Sequence, residues 1–252
     1  MIGSAIAMPA YPPAAAPDSS WFILEQAMKF NAKPLLGALA ALLAASAPLA
    51  HADVKITEVA PWSSGNSAVG ADWFELTNTG TATVDITGWK VDDSSNAFAS
   101  AAALNGIAAI AAAQSVIFVE GDTGTVTSFI DTWFGTSPAP AVGYYKAKAV
   151  GLSTGGDGVT VFNASGAPQA TVSFGASDGA APYQTFDNAA GLNNTTIAQL
   201  SVVGVNGAFV AAGSAGEIGS PGVIAAVPEP ESYAMLLAGL GLIGLVARKR
   251  RA

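Results

Sequence analysis

Carboxylates are the side chains most able to do chemistry in this 252-residue sequence, which has no cysteine and a single histidine, His51. Without cysteine, thiolate metal sites and cysteine nucleophiles are excluded. Glu58 and Glu75 lie in stretches where apolar and polar residues alternate, and two carboxyl groups across a cleft are what a glycosidase uses. The same alternation is typical of framework residues that point away from a core or bind neighbouring backbone. Hydrolysis by this pair is therefore only a remote alternative.

Two acidic segments offer oxygen atoms of the kind that calcium binds. Asp92, Asp93 and Asn96 form the first segment, and Glu120 and Asp122 form the second. The spacing from Asp92 imitates the start of an EF-hand loop, but the glycine and glutamate that complete such a loop are missing. Because Asp and Asn also stabilise ordinary turns, the sequence predicts no cofactor and leaves calcium as an alternative.

An export signal begins at Met28. A short basic stretch is followed by an apolar run over residues 35–47, and Ala50 and Ala52 supply an Ala-x-Ala cleavage pattern. These are the three regions of a secretory signal peptide. A membrane span needs about 20 apolar residues, which this run does not reach. We expect cleavage after Ala52, which would remove the histidine.

The carboxyl-terminal end carries three ordered features: a Pro-Glu-Pro motif, an apolar run over residues 233–247 and a basic tail. The residues of the motif and tail are Pro228, Glu229, Pro230, Arg248, Lys249, Arg250 and Arg251. By the positive-inside rule, such a tail stays in the cytoplasm. The arrangement closely resembles the PEP-CTERM sorting signal of Gram-negative bacteria that make exopolysaccharide. That resemblance implies a transient anchor in the inner membrane and processing by exosortase, a membrane-embedded transpeptidase-like enzyme. An ordinary single-span anchor is the alternative, although the run is short for one.

The segment between the two signals is acidic. Residues 53–227 contain fourteen acidic and four basic side chains, which gives a net charge of −10. A protein that binds the phosphates of nucleic acid needs a basic face. We therefore expect no nucleic-acid partner.

The same segment has the pattern of an all-β domain. Short runs rich in Val, Ile, Thr, Phe and Trp alternate with turns, which predicts an antiparallel sandwich or barrel. Residues 125–134 are the best helical candidate, and the roles of residues 97–113 and 125–150 stay open. The predicted strands are 54–59, 73–77, 84–86, 89–91, 115–120, 159–163, 169–174, and a last pair from 197–203 and 208–210.

Three successive motifs in this segment resemble the lamin tail domain. They are Val54-Lys55-Ile56-Thr57-Glu58-Val59, then the stretch from Asp72 to Gly80 around Trp-Phe-Glu-Leu-Thr-Asn, then the stretch from Val84 to Asp93 around Gly-Trp-Lys-Val-Asp. Weaker matches follow, so that the resemblance reaches Gly222. It implies an immunoglobulin-like β-sandwich with no catalytic residues, which in bacteria serves binding, surface attachment or assembly.

The expected organisation has four parts, and the aromatic residues fit its β domain. Trp73 and Trp89 lie in predicted strands and should be in the core, whereas Trp62, Trp133 and the pair Tyr144-Tyr145 are candidates for stacking on sugar rings. The four parts are a misassigned upstream extension (1–27), a signal peptide (28–52), a lamin-tail-like β-sandwich (53–224) and a sorting segment with a short hydrophobic helix (225–252).

Taken together, these features predict an exported protein without catalytic activity. We expect a structural or adhesive role at the cell surface or in the exopolysaccharide matrix. The expected partners are exosortase and the secretion machinery, with extracellular polysaccharide or a surface protein as the ligand. A calcium-dependent carbohydrate-binding module is the alternative.

Overall fold

The computed structural model describes residues 53–63, 67–146, 150–177, 180–188, 195–214, 216–223 and 239–240. The expected upstream extension, the signal peptide and nearly all of the expected sorting segment lie outside the described residues. Among the residues that are described, no helix is long and apolar enough to cross a membrane.

The described domain consists of fifteen strands and one helix. The elements are β1 (Val54–Ala60), β2 (Trp73–Asn78), β3 (Val84–Asp85), β4 (Lys90–Asp92), β5 (Ala102–Asn105), β6 (Ala109–Ile110), β7 (Ser115–Glu120), α1 (Thr123–Phe134), β8 (Ala141–Tyr145), β9 (Asp157–Phe162), β10 (Pro168–Phe174), β11 (Tyr183–Gln184), β12 (Phe186–Asp187), β13 (Thr196–Ile197), β14 (Phe209–Val210) and β15 (Glu217–Gly219).

Ten of the strands form one hydrogen-bonded sheet in the order β12-β1-β2-β7-β8-β5-β4-β9-β10-β13. The sheet folds over so that β1 contacts β10. A first core fills the space between the two halves, and it includes Ile56 and Phe74 from one half and Val161 and Val172 from the other. A core enclosed between two packed halves of a sheet is the pattern of a β-sandwich, so the predicted all-β sandwich is confirmed.

A further layer covers the outer face of strands β1, β2 and β7. It consists of α1 and a small sheet in the order β11-β15-β14. Trp73 points into this second core, where its ring lies 5.5 Å from Trp133 and 5.4 Å from Phe129 of α1, in edge-to-face geometry. Edge-to-face aromatic pairs add stabilisation beyond the burial of their area. The outer face of this sheet is thus a packed interface.

The helix begins slightly earlier than its sequence pattern predicts. Asp122 caps it, because its Oδ1 accepts hydrogen bonds from the backbone N–H groups of Gly124 (2.8 Å) and Thr125 (3.3 Å). The Thr125 hydroxyl in turn accepts from the Asp122 backbone N–H, which completes a capping box. The predicted end at Phe134 is confirmed.

The Ala-rich stretch and the last predicted strand pair differ from expectation. Residues 97–113 supply β5 and β6, and β5 connects the two halves of the large sheet through β4 and β8. The predicted pairing of 197–203 with 208–210 is wrong. Strand β13 runs parallel to β10 and β14 pairs with β15, and residues 199–201 bond instead to the backbone of residues 185–187.

Replacement of Phe129 by alanine should detach α1 from the sheet. Its side chain is fully buried in the second core, and such truncations cost about 3–5 kcal/mol of unfolding free energy. Thr127→Ala, on the exposed side of the same helix, should change it by less than about 0.5 kcal/mol. Urea unfolding followed by tryptophan fluorescence measures both. Equal stabilities for the two variants would contradict the packing of the helix.

Candidate functional site

The glutamates considered for catalysis lie side by side in the structure. Glu58 of β1 and Glu75 of β2 are paired in register, and their exposed fractions are 0% and 1%. A bulge between Ile56 and Glu58 turns Glu58 to the outer face of the sheet. As expected, both side chains point away from the sandwich core, but they enter the interface with the outer layer and not solvent.

A closing segment, residues 217–222, is held by these two carboxyl groups. Glu58 accepts hydrogen bonds from the backbone N–H of Ser220 (2.7 Å) and from the Thr185 hydroxyl. Glu75 accepts from the backbone N–H of Gly222 at 2.5 Å and from the Thr57 hydroxyl at 2.6 Å. Each acid therefore joins an early strand to the end of the domain.

Burial raises the pKa of both acids. The pKa of Glu58 lies well above its ordinary value, first because of burial and then because of the negative charge of Glu75. Burial also raises the pKa of Glu75, to about 7, against the hydrogen bonds it accepts from Thr57 and Gly222. A glycosidase needs its two carboxyl groups open to a substrate in a cleft, and the closing segment seals this pair.

Asp72, which the sequence did not single out, is a second buried anchor. Its two carboxyl oxygens accept hydrogen bonds from the backbone N–H groups of Ser63 and Leu152, each at 2.7 Å. Burial raises its pKa to about 7. It connects two loops that are far apart in sequence, and no local pattern reveals that role.

In the first calcium candidate segment, the carboxylates hold a turn. Asp92 Oδ2 accepts from the Ser95 hydroxyl and from the backbone N–H of Ala97, both at 2.6 Å. Asp93 Oδ1 accepts from the backbone N–H of Ser95 at 2.8 Å. Asn96 has a φ of 50°, in the left-handed region that Asn adopts more readily than most residues.

In the second candidate segment, the acids have other partners. Asp122 is the helix cap, and Glu120 Oε2 accepts a long hydrogen bond of 3.5 Å from the backbone N–H of Asp72. The hydrogen bonds of the two segments thus end on different elements. Over the described part of the chain, no group of three or more His, Cys, Asp or Glu residues could hold a metal ion.

A cleft of about 280 Å³ with several hydroxyl-bearing residues in its wall lies beside the first candidate segment. Asp157 lies in its wall and accepts hydrogen bonds from the backbone N–H groups of Ser94 (3.1 Å) and Ser153 (2.9 Å). Although burial opposes it, these and other hydrogen bonds lower the pKa of Asp157, so its carboxylate is charged at neutral pH. We call this the hydroxyl cleft; it is lined by Ser94, Asn96, Asp157, Gly158, Thr160, Thr171, Val172, Ser173 and Thr195.

One buried oxygen near this cleft has no partner. Asp92 is fully buried, and its Oδ1 accepts no hydrogen bond from any described residue. Its strand neighbour in register is Thr160, which lines the cleft. An unpaired buried carboxylate oxygen lowers the stability of the fold. A ligand that supplies a partner to this oxygen would therefore bind favourably.

The aromatic residues considered for sugar stacking are mostly inside the protein. The exposed fractions of Trp62 and Trp133 are 1% each, and that of Tyr145 is 0%. Their expected role at a sugar-binding surface is wrong, because Trp62 and Trp133 are packed in the second core and Tyr145 is packed in the first core. Trp73 and Trp89 are buried as predicted.

Comparison with known families agrees with this geometry. The family model described as Lamin Tail Domain matches residues 47–176. The chain belongs to the lamin tail domain family. A second model, the PEP-CTERM protein-sorting motif, matches residues 226–251. A comparison with curated proteins gives no match.

The lamin tail domain match covers the large sheet from β1 to β10 together with α1. The small sheet and the closing segment follow the matched residues and cover the outer face of the immunoglobulin-like sandwich. The second match begins three residues after Val223, where the described part of the domain ends. This chain is therefore a lamin tail domain protein that carries an exosortase sorting motif and is exported.

Titration of the buried glutamates should make the protein less stable as the pH rises. An unfolded glutamate has a pKa of 4.5, whereas the pKa of Glu75 in the folded protein is about 7. The folded state holds the extra proton between these values, so the free energy of unfolding falls across this range. One pKa unit corresponds to about 1.4 kcal/mol, so Glu75 accounts for a fall of about 3 kcal/mol in the free energy of unfolding. The Glu75→Gln variant should lack this part of the pH dependence.

Urea unfolding at about pH 4.5 and about pH 8 tests this expectation. Glutamine can accept from the Gly222 N–H and donate to a threonine hydroxyl, so it mimics the protonated acid. Asp85→Asn is the control, because hydrogen bonds from Thr87 lower the pKa of this exposed acid and its titration falls below the range. An unchanged slope in the Glu75→Gln variant would contradict the assignment.

Substitutions of Asp122 distinguish its role as a helix cap from a role as a metal ligand. Asp122→Ala should lower the free energy of unfolding by about 1 kcal/mol, whereas Asp122→Asn should preserve most of it because asparagine caps equally well. Thermal unfolding with and without added calcium measures both effects. A calcium-induced rise in Tm that Asp122→Asn abolishes would show instead that this residue is a metal ligand.

Proposed function

We propose that this protein is a non-catalytic component of the cell surface or the exopolysaccharide matrix, and that it binds polysaccharide through its hydroxyl cleft. It is an exported protein with a sorting motif that implies processing by exosortase. On this proposal, the sorting segment holds it transiently in the inner membrane before release to its final place. A surface protein as the ligand is the less favoured form of the same role.

The observation that carries the proposal is the composition of the hydroxyl cleft. Its wall presents side-chain hydroxyls, an amide and one charged carboxylate on two neighbouring strands and a turn. Such groups are the donors and acceptors that match the hydroxyls of a sugar. Thr171 and Ser173 alternate with buried residues along β10 and are exposed, so that a chain of sugars could lie along the strand.

The buried acids support the absence of catalysis. Glu58 and Glu75 are sealed beneath the closing segment, and the two oxygens of Asp72 accept backbone hydrogen bonds. Catalysis requires an acid or base within reach of a substrate. The lamin tail domain is, moreover, a non-catalytic family.

Calcium-dependent binding is the second candidate, and Asp92 favours it. Asp92 has an unpaired Oδ1 and is paired in register with Thr160 of the cleft, and calcium binds carboxylate together with hydroxyl and amide oxygens. In this mode Asp92 and Asn96 near the cleft would bind the calcium ion, and the second acidic segment would not take part.

Co-sedimentation with the producing organism's own extracellular polysaccharide tests both candidates. The exported, processed protein should pellet with the polymer, and binding that survives a calcium chelator supports the direct mode. Thr171→Glu should weaken binding by about tenfold, or about 1.4 kcal/mol, because the bound polysaccharide would cover the new carboxylate without providing a full set of partners. Thr127→Glu introduces the same side chain on α1 and should bind like the wild type.

The other outcomes assign the function differently. Binding that is lost in chelator and restored by calcium supports the calcium-dependent candidate, and Asp92→Asn should then bind poorly at any calcium concentration. Equal loss in both threonine variants would place the ligand site away from the cleft. Failure of the wild-type protein to bind polymer in any condition would overturn polysaccharide as the ligand and leave a surface protein.

A further inference from the structure

An uncharged apolar groove lies where the chain leaves the domain. It has a volume of about 520 Å³. The last described residue of the domain, Val223, forms part of its wall. Its lining contains no charged side chain and consists of Trp133, Phe134, Ser137, Pro138, Ala139, Pro140, Phe209, Val210, Ala212, Pro221, Gly222 and Val223.

A loop of exposed valines extends this groove. Val202, Val203 and Val205 are 51%, 53% and 43% exposed, and they are the large hydrophobic residues that the described domain leaves most open, together with Val210 of the groove. The backbone of Gly207 in this loop packs directly against the side chain of Val223. We call the groove and residues 202–208 together the exit face.

The sorting motif cannot move far from the exit face. Pro228 is five residues beyond Val223, and the apolar run begins at Tyr233, ten residues beyond it. A fully extended chain spans at most about 3.6 Å per residue, so these points lie within about 18 Å and about 36 Å of Val223. Any enzyme that grips the Pro-Glu-Pro motif therefore comes within reach of this face.

We infer that the exit face is a docking surface for exosortase, so that the enzyme recognises the folded domain as well as the motif. This inference rests on the sorting motif and is independent of the polysaccharide-binding proposal. Charge favours it, because the domain is strongly acidic overall while the face nearest the motif is uncharged. A partner that binds this face therefore covers no charged side chain of its lining, which avoids the cost of burying a charge.

The chemistry of the exit face favours a protein partner over the lipid surface. Segments that bind the membrane interface are rich in Trp, Lys and Arg, and the exposed residues here are valines and prolines. The groove is concave, and buried aliphatic and aromatic groups in a pocket are typical of the energetic centre of a protein interface. The exposed valines beside such a pocket add apolar area that a protein partner would bury.

Site-specific photo-crosslinking in the full chain tests the inference directly. Val203 is replaced by a photo-crosslinking amino acid, and the protein is co-expressed with exosortase in membranes. The adduct should contain exosortase, and the same amino acid at Thr171, in the hydroxyl cleft, should give none. A Val203 adduct with lipid alone, with a second copy of the chain or with neither would overturn the inference.

Processing kinetics provide the second test. The variant Val202→Ser, Val203→Ser, Val205→Ser should lose its precursor about tenfold more slowly in a pulse–chase, which corresponds to about 1.4 kcal/mol of docking. The control Ala99→Ser, Ala108→Ser, Ala112→Ser changes exposed apolar residues elsewhere and should be processed at the normal rate. Normal processing of the valine variant, or equal slowing of both, would overturn the inference.

Polysaccharide binding by the processed valine variant should be unchanged, which separates this test from that of the proposed function.

Discussion

The docking of the closing segment onto two buried glutamates is the interaction on which the rest of the structure depends. Glu58 and Glu75 bring an unfavourable pair of acids into the interior, and they are tolerated because hydroxyl and backbone N–H groups surround them. Buried polar groups without partners would cost several kcal/mol. The positions of β15 and of the residues after it are thereby fixed, since the backbone N–H groups of Ser220 and Gly222 donate to these carboxyl groups.

This interaction changes what the outer face of an immunoglobulin-like sheet can do. An antiparallel sheet commonly has one face on the core and one face in water. Here the second face carries Trp73 and the two glutamates, and it is covered by α1 and the small sheet. The two glutamates and most of the aromatic residues that the sequence offers for catalysis or sugar stacking are consequently buried in packed interfaces. The two surfaces proposed for binding are the hydroxyl cleft, beside β9 and β10, and the exit face, beside α1.

Local patterns in the sequence predicted the sandwich well and the outer layer poorly. The alternation in β1 and β2 and the turn between β9 and β10 depend on neighbouring residues, and they were read correctly. The partners of Glu58 lie 127 and 162 residues away along the chain, so no local pattern could show that its carboxyl group is buried. The same applies to the hydroxyl cleft, where Ser94 meets Asp157 across 63 residues. The pairing predicted for 197–203 failed because residues 199–201 bond to residues 185–187, and local patterns do not indicate that partner.

The anchoring of the closing segment also determines how the domain bears load. A pull on the sorting tail reaches the domain at Val223, directly after the backbone groups of Ser220 and Gly222 that are bonded to Glu58 and Glu75. Tension therefore passes first into β1 and β2, at the centre of one half of the large sheet, and does not peel an edge strand. Bonds on neighbouring strands share such a force, so a surface protein held by this end resists being pulled apart in the direction in which its tether acts.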